Sequence, residues 1–251
     1  MAGLQLDFEW RITLATVLLV PTLVALGFWQ LERADEKADL EARWSVRQSE
    51  APMPLESLLD NDPEQLAYRR VSLRGEFLVG RYLLLDNRIQ QGRFGNEVVG
   101  LLALADSDQL VLVNRGWVPS DPARLVLPEV AEPEGPIELT GHIYVSPGKP
   151  YLLGEQQLAP PWPVRIQALD NEALMPLLAT VTDAELYPHP VRIDSGQPAA
   201  LTVAWTLINA SPEKHQGYAF QWFTMAVVLA FFFLLRSSNL WQLLTRKRHE
   251  A

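Results

Sequence analysis

Two stretches of twenty residues carry no charged side chain: Ile12 to Leu31, between Arg11 and Glu32, and Gln216 to Leu235, between His215 and Arg236. At 1.5 Å of rise per residue each forms a helix of roughly 30 Å, the thickness of a bilayer's hydrocarbon core. Aromatic residues stand at their ends, with Trp10, Phe28 and Trp29 around the first and Tyr218 and Trp222 opening the second. Such rings favour the headgroup layer. Pro21, which membrane helices tolerate better than soluble ones do, predicts a kink in the first run. Two wholly apolar helices at opposite ends of a soluble chain would be unusual, so transmembrane helices are expected at 12–31 and 216–235.

Ala25-Leu26-Gly27 has the small-x-small form of a cleavage site, but Asp7, Glu9 and a single Arg11 do not make a basic leader. The first run therefore reads as a retained anchor, and the same acids argue against a mitochondrial transit peptide. A bacterial inner membrane is the expected home. Residues 236–251 hold Arg236, Arg246, Lys247 and Arg248 against Glu250, and positive-inside bias puts that tail in the cytoplasm. Residues 1–11 share its side, leaving 32–215 as an exported, periplasmic domain. Of 21 basic and 30 acidic residues, five and three lie outside that domain, so it carries 16 and 27, about −11. Clustered cations are what nucleic-acid binding needs, so no nucleic-acid partner is expected.

Residues 32–48 continue with helical character and mixed charge, Glu32, Arg33, Asp35, Glu36 and Lys37 among them, which reads as a solvated stalk extending the first helix. From Tyr68 the texture changes to short runs of Val, Leu, Ile and Tyr between Gly, Asn, Asp and Pro. Strands are expected at 70–79, 82–86, 97–104, 110–113, 137–145, 164–167, 191–193 and 203–208. In the first of these, Val71, Leu73, Gly75, Phe77 and Val79 alternate with Arg70, Ser72, Arg74, Glu76 and Leu78, the period of a sheet with one wet face. Helical character appears at Asp170–Leu178, where Asp170 can cap, and at Pro122–Leu127. The predicted fold is a membrane protein with two transmembrane α-helices flanking an exported β-rich α+β domain, barrel- or sandwich-like.

Chemistry is sparse. The absence of Cys excludes disulfides, iron–sulfur clusters and thiolate metal sites. The four histidines, His142, His189, His215 and His249, form no spaced metal motif, and neither a nucleophile elbow nor a phosphate-binding glycine loop is present. His142, inside a strand, and His189, between two prolines, read as packing or surface residues. Asn209-Ala210-Ser211 matches a glycosylation sequon but precedes Pro212 and hugs the second helix. His215 is the last polar residue before the second helix, at the exported interface near Tyr218 and Trp222. Position gives it two readings, an amphipathic anchor or an axial ligand to haem iron.

The exit of the first helix, Leu26-Gly27-Phe28-Trp29-Gln30-Leu31-Glu32-Arg33 with Lys37 beyond, resembles the Surfeit locus protein 1 family of cytochrome c oxidase assembly factors. In the same order follow Tyr68-Arg69-Arg70-Val71 with Gly75 and Phe77, then Asn114-Arg115-Gly116-Trp117-Val118-Pro119. The last block is Pro212-Glu213-Lys214-His215 with Gly217-Tyr218 and Gln221-Trp222-Phe223. The resemblance spans nearly the whole chain. It implies a non-enzymatic membrane protein that assists maturation of the catalytic subunit of haem–copper cytochrome c oxidase, around delivery or retention of haem a. The alternative is a scaffold or accessory oxidase subunit that does not bind haem. The implied partners are oxidase subunits and the machinery of haem a synthesis and assembly.

The resemblance also makes His215 the haem-iron ligand, with Tyr218 and Trp222 lining the same interface and Trp29 and Gln30 facing them from the first helix. One histidine offers a single axial ligand, so a second would come from water, another protomer or a partner, and the haem would be loosely held. Arg115 and Trp117 have two readings, holding haem propionates or serving in cation–π and sheet-edge contacts. Gly75 is expected at a close approach or bulge, and Gly116 in a turn.

Overall fold

The computed structural model describes residues 7–58, 62–146, 148, 152, 156, 158–205 and 211–239. In chain order its elements are α1 (Trp10–Ser49), β1 (Met53–Pro54), a 3-10 turn (Leu55–Leu58), α2 (Pro63–Leu66), β2 (Arg70–Gln90), β3 (Arg93–Leu104), β4 (Gln109–Pro119) and β5 (Pro136–Ile143). They continue with β6 (Val164–Ile166), α3 (Asn171–Leu178), β7 (Glu185–Leu186), β8 (Val191–Ile193) and α4 (Pro212–Arg236). The chain divides into two compact units, Met1–Arg43 with Thr206–Ala251, and Trp44–Trp205.

The first unit is a helix pair. α1 runs uninterrupted through Pro21. In the most apolar stretch of each helix only 11% is buried inside the protein. Val17, Leu18, Phe28, Phe220, Val227 and Phe232 are all more than half exposed. A soluble core helix would hide such residues, since apolar area in water costs about 25 cal/mol per Å²; lipid removes that cost. These are the two membrane-spanning helices.

They run antiparallel. Asp7 N–H donates to the Ser237 carbonyl at 2.9 Å, Phe8 stacks on Phe233 at 6.2 Å, and Phe28 meets Phe223 edge-on at 5.2 Å. Small residues line the seam, as close packing between apolar helices requires: Thr16, Gly27 and Ala34 are the buried positions of α1, and Ala219 and Ala226 are buried in α4. A Cβ on Gly27 would lie 2.6 Å from the Phe223 ring. Gly27→Leu is expected to drive Phe223 from the seam and lower the stability of the helix pair by roughly 1–3 kcal/mol, read by thermal unfolding in lipid.

The second unit is a closed barrel, which decides between the two architectures left open by the sequence. β2 pairs antiparallel with β3, β3 with β4, β4 runs parallel to β8, β8 pairs antiparallel with β5, and β5 returns to β2. The return is long, with Arg70 opposite His142 and Glu76 opposite Pro136. The runs expected at 70–79 and 82–86 are one strand, bent at an irregularity between Phe77 and Tyr82 that contains Gly80 at φ 70°. Inside the barrel pack Val71, Leu73, Leu102, Val111, Val113, Leu139, Ile143, Val191 and Ile193. A second apolar layer forms around Leu83, Val99, Leu101, Leu110 and Leu112, closed by α3 through Leu174, Leu177 and Leu178. Asp170 caps α3, its carboxylate accepting from the N–H groups of Glu172 and Ala173.

Three local expectations are corrected. Residues 122–127 are not helical: Asp121 accepts from the N–H groups of Ala123 and Leu125, at 3.0 and 2.9 Å, and this turn leaves Leu125 and Val126 exposed. These backbone donors hold the Asp121 carboxyl below the ordinary aspartate range. No strand covers 203–205, where the chain makes only a bridge of Thr202 to Trp117, and 206–210 lie outside the described residues. Gly116 sits within β4 rather than in a turn. It has φ 112° at a register shift against Val98 and Val99, with the Thr202 carbonyl against its α-carbon side.

Candidate functional site

In the helix pair, His215, Tyr218 and Trp222 are spaced by three and four residues, so they share one face of α4. Gln30 stands one turn beyond Gly27 on the seam face of α1. The structure brings two of the expected residues together: His215 Nδ1 lies 2.8 Å from Gln30 Oε1. An amide oxygen only accepts, so Nδ1–H is the donor in this contact and Nε2 is the ring nitrogen left pointing away from it. His215 is half-buried, and so is Trp222; Tyr218 is exposed. Trp29 is exposed as well, with the Arg33 guanidinium 5.9 Å from its ring. Among the described residues no ring contact joins Trp29 to Tyr218 or Trp222, so these three stand around the pair without closing on it. An imidazole oriented by a second side chain, with aromatic neighbours, is a donor set suited to one axial position on a haem iron. Among the described residues no group of three or more His, Asp or Glu side chains is arranged for a metal ion.

The barrel fixes Arg115 and Trp117 structurally. Arg115 is buried, donates from Nε to the Ala199 carbonyl at 2.9 Å and from a terminal nitrogen to the Ala131 carbonyl at 2.5 Å, and lies 5.6 Å from the Phe77 ring. Trp117 Nε1 donates to the Arg88 carbonyl at 3.0 Å. Arg115 thus makes the cation–π contact that was one of its two readings, with its donors on loop carbonyls, and Trp117 bonds to a strand carbonyl.

Sequence reasoning missed a polar row across the outer face of the barrel. Strand register sets Arg70 beside His142, His142 beside Arg192 and Arg192 beside Asn114, while their neighbours Val71, Gly141, Ile193 and Val113 face inward. Aromatic rings cover the row. Trp44, at the end of α1, meets His142 edge-on at 4.7 Å and Tyr68 at 5.5 Å; Trp205 lies 6.4 Å from His142. Arg70 pairs with Asp194 at 2.9 Å, and Thr140 Oγ1 donates to the same carboxylate. Burial, with the Arg192 charge beside it, pushes the His142 imidazole down from 6.5 to about 4, so it is neutral at pH 7. The four members of this row come from four distant strands. Only the alternation around Arg70 and His142 gave any sign of it.

A pair of antiparallel membrane helices, with a β-barrel domain between them in the sequence, defines a two-pass membrane protein with a polar site on the helix seam. Residues 17–227 match the SURF1 family, and the chain belongs to that family. A SURF1-like protein of Drosophila melanogaster is 32% identical over 151 residues, 53% of this chain and 50% of its own length, so that match spans half of the fly protein. Surfeit locus protein 1 of Gallus gallus is 29% identical over 236 residues, 86% of this chain and 72% of its own. The cytochrome oxidase assembly protein SHY1 of Saccharomyces cerevisiae is 29% identical over 114 residues, 45% and 29% of the two chains.

Proposed function

We propose that this protein is an assembly factor for haem–copper cytochrome c oxidase, acting in the bacterial inner membrane without catalysing a reaction. Its cargo is haem a, delivered to or retained near the oxidase's catalytic subunit. Family membership and the name of the yeast relative support the assembly role. The observation that carries the haem reading is the hydrogen bond from His215 Nδ1–H to Gln30 Oε1. Fixing the proton on one nitrogen presents the other as a ready ligand, and the bond spans the two helices, so a change in their packing alters the imidazole's aim. Tyr218, Trp222 and Trp29 supply apolar and aromatic surface for a macrocycle, and a single protein ligand keeps the cargo exchangeable. The basic residues Arg236, Arg246, Lys247 and Arg248 support cytoplasmic termini and a periplasmic barrel. There the barrel meets oxidase subunits and the haem a machinery.

The test is an optical spectrum of the detergent-purified protein made in cells that synthesise haem a. A Soret band near stoichiometric level is expected in the parent and absent in His215→Ala. Gln30→Leu, which removes the orienting acceptor, is expected to weaken haem retention about 10- to 100-fold. A folded parent without the band, in cells whose oxidase still depends on it, overturns the haem reading in favour of a scaffold.

A further inference from the structure

The polar row ends at a cavity of about 420 Å³ on the barrel, lined by residues from β2, β3, β4 and β8 and from the segments around Tyr144, Asp170 and His189. Its size is that of a small-molecule site. Arg192 projects along one wall. Its guanidinium lies 3.8 Å from the centre of the Tyr144 ring and 5.2 Å from that of Trp205. Stacking of this kind occupies the flat faces of a guanidinium and leaves its N–H edges free. Among the described residues Arg192 forms no ion pair and its side chain donates no hydrogen bond, while burial opposes its charge.

The neighbouring carboxylates are engaged elsewhere. One Glu97 oxygen accepts from Asn114 Nδ2 at 2.6 Å and the other faces Arg88 Nε at 3.6 Å. Asp170 caps α3. A largely buried cation with unspent donors, opening on a cavity, is a receptor for an anion.

The walls decide which anion. Among the described lining residues Glu97, Asp170 and Glu172 outnumber Arg88 and Arg192, a field that repels dianions and polyphosphates but allows one charge held on a guanidinium. Leu85, Val145, Leu169 and Pro190 give the remainder an apolar lining. We propose that this cavity binds a small monocarboxylate with an apolar body, its carboxylate received by the Arg192 guanidinium. The site lies wholly within the barrel unit and uses neither His215 nor Gln30.

Isothermal titration of the full chain in detergent with 3-phenylpropionate tests this, with 3-phenylpropionamide as the neutral isostere and phenyl phosphate as the dianion. The carboxylate is expected to bind saturably, with affinity lower by about tenfold or more for the amide, and likewise for the carboxylate on Arg192→Met. His215→Ala is expected to bind it unchanged, which separates this site from the haem reading. No saturable binding, equal binding of acid and amide, unaltered binding to a folded Arg192→Met, or preference for phenyl phosphate overturns the proposal. If Arg192→Met loses its near-ultraviolet circular dichroism, the acid and amide comparison on the unsubstituted protein decides alone.

Discussion

Gly75→Ala is expected to destabilise the barrel by about 3 kcal/mol or more, lowering the unfolding midpoint of the full chain on the order of 10 °C. Gly75 lies where β2 is flanked on both sides, opposite Leu104 of β3 and Ile137 of β5. A Cβ there would stand 2.1 Å from the Ala103 carbonyl oxygen and 3.0 Å from its carbon. Both are backbone atoms, so no rotamer change relieves the overlap; β2 and β3 must part at the place where β5 closes the ring. Gly148→Ala is the matched control, because among the described residues nothing lies within 4 Å of its added carbon, and it is expected to stay within about 0.5 kcal/mol of the parent. Equal midpoints for the two variants would refute the close-approach account.

The second large effect is one of pH. His142 is 2% exposed, and its Nδ1 has no hydrogen-bond partner among the described residues. Arg192 on β8 and Arg70 on β2 both oppose its protonation, while Asp194 favours it more weakly than burial opposes it. The folded value of about 4 lies below the unfolded 6.5, so between these limits the unfolded chain takes up a proton that the folded chain refuses. Stability from this group is complete above about pH 6.5 and lost as pH falls toward 4, a difference on the order of 3 kcal/mol. His142→Phe, whose ring occupies a similar place beside Trp44, is expected to flatten that part of the profile. Denaturant unfolding of parent and variant at pH 7 and pH 4 checks it. Parallel pH profiles would mean that His142 already shares a proton in the folded state.

The helices were legible in the sequence because a membrane span needs only length and absence of charge, and both are local. The cap of α3 was legible for the same reason: Asp170 precedes an apolar run and needs no distant partner. Barrel closure was not, because β2 meets β5 across more than forty intervening residues and nothing in either strand names the other. The Asn-Arg-Gly-Trp-Val-Pro block was visible as a motif, yet Arg115 turned out to spend its donors on the carbonyls of Ala131 and Ala199. Residues 122–127 misled because Pro122 and the following Ala, Arg and Leu suit a first helical turn, while Asp121 takes the backbone donors for a tighter one. At the candidate site, His215 and Gln30 could each be singled out by their place at a helix end. Their pairing needed the helix register, which Gly27 and Phe223 set. The row of Arg70, His142, Arg192 and Asn114 is a property of registers alone.

Among the described residues, each strand of the ring formed by β2, β3, β4, β8 and β5 has a partner on both sides. Outside the ring only the short β1, β6 and β7 have a single partner, so an incoming polypeptide finds no long row of backbone donors and acceptors to extend, which is how many chaperones capture extended clients. Whatever this domain holds, it must recognise by side-chain relief and charge rather than by strand addition. The same feature protects the domain itself: the strands of its ring cannot be templated by a neighbour's.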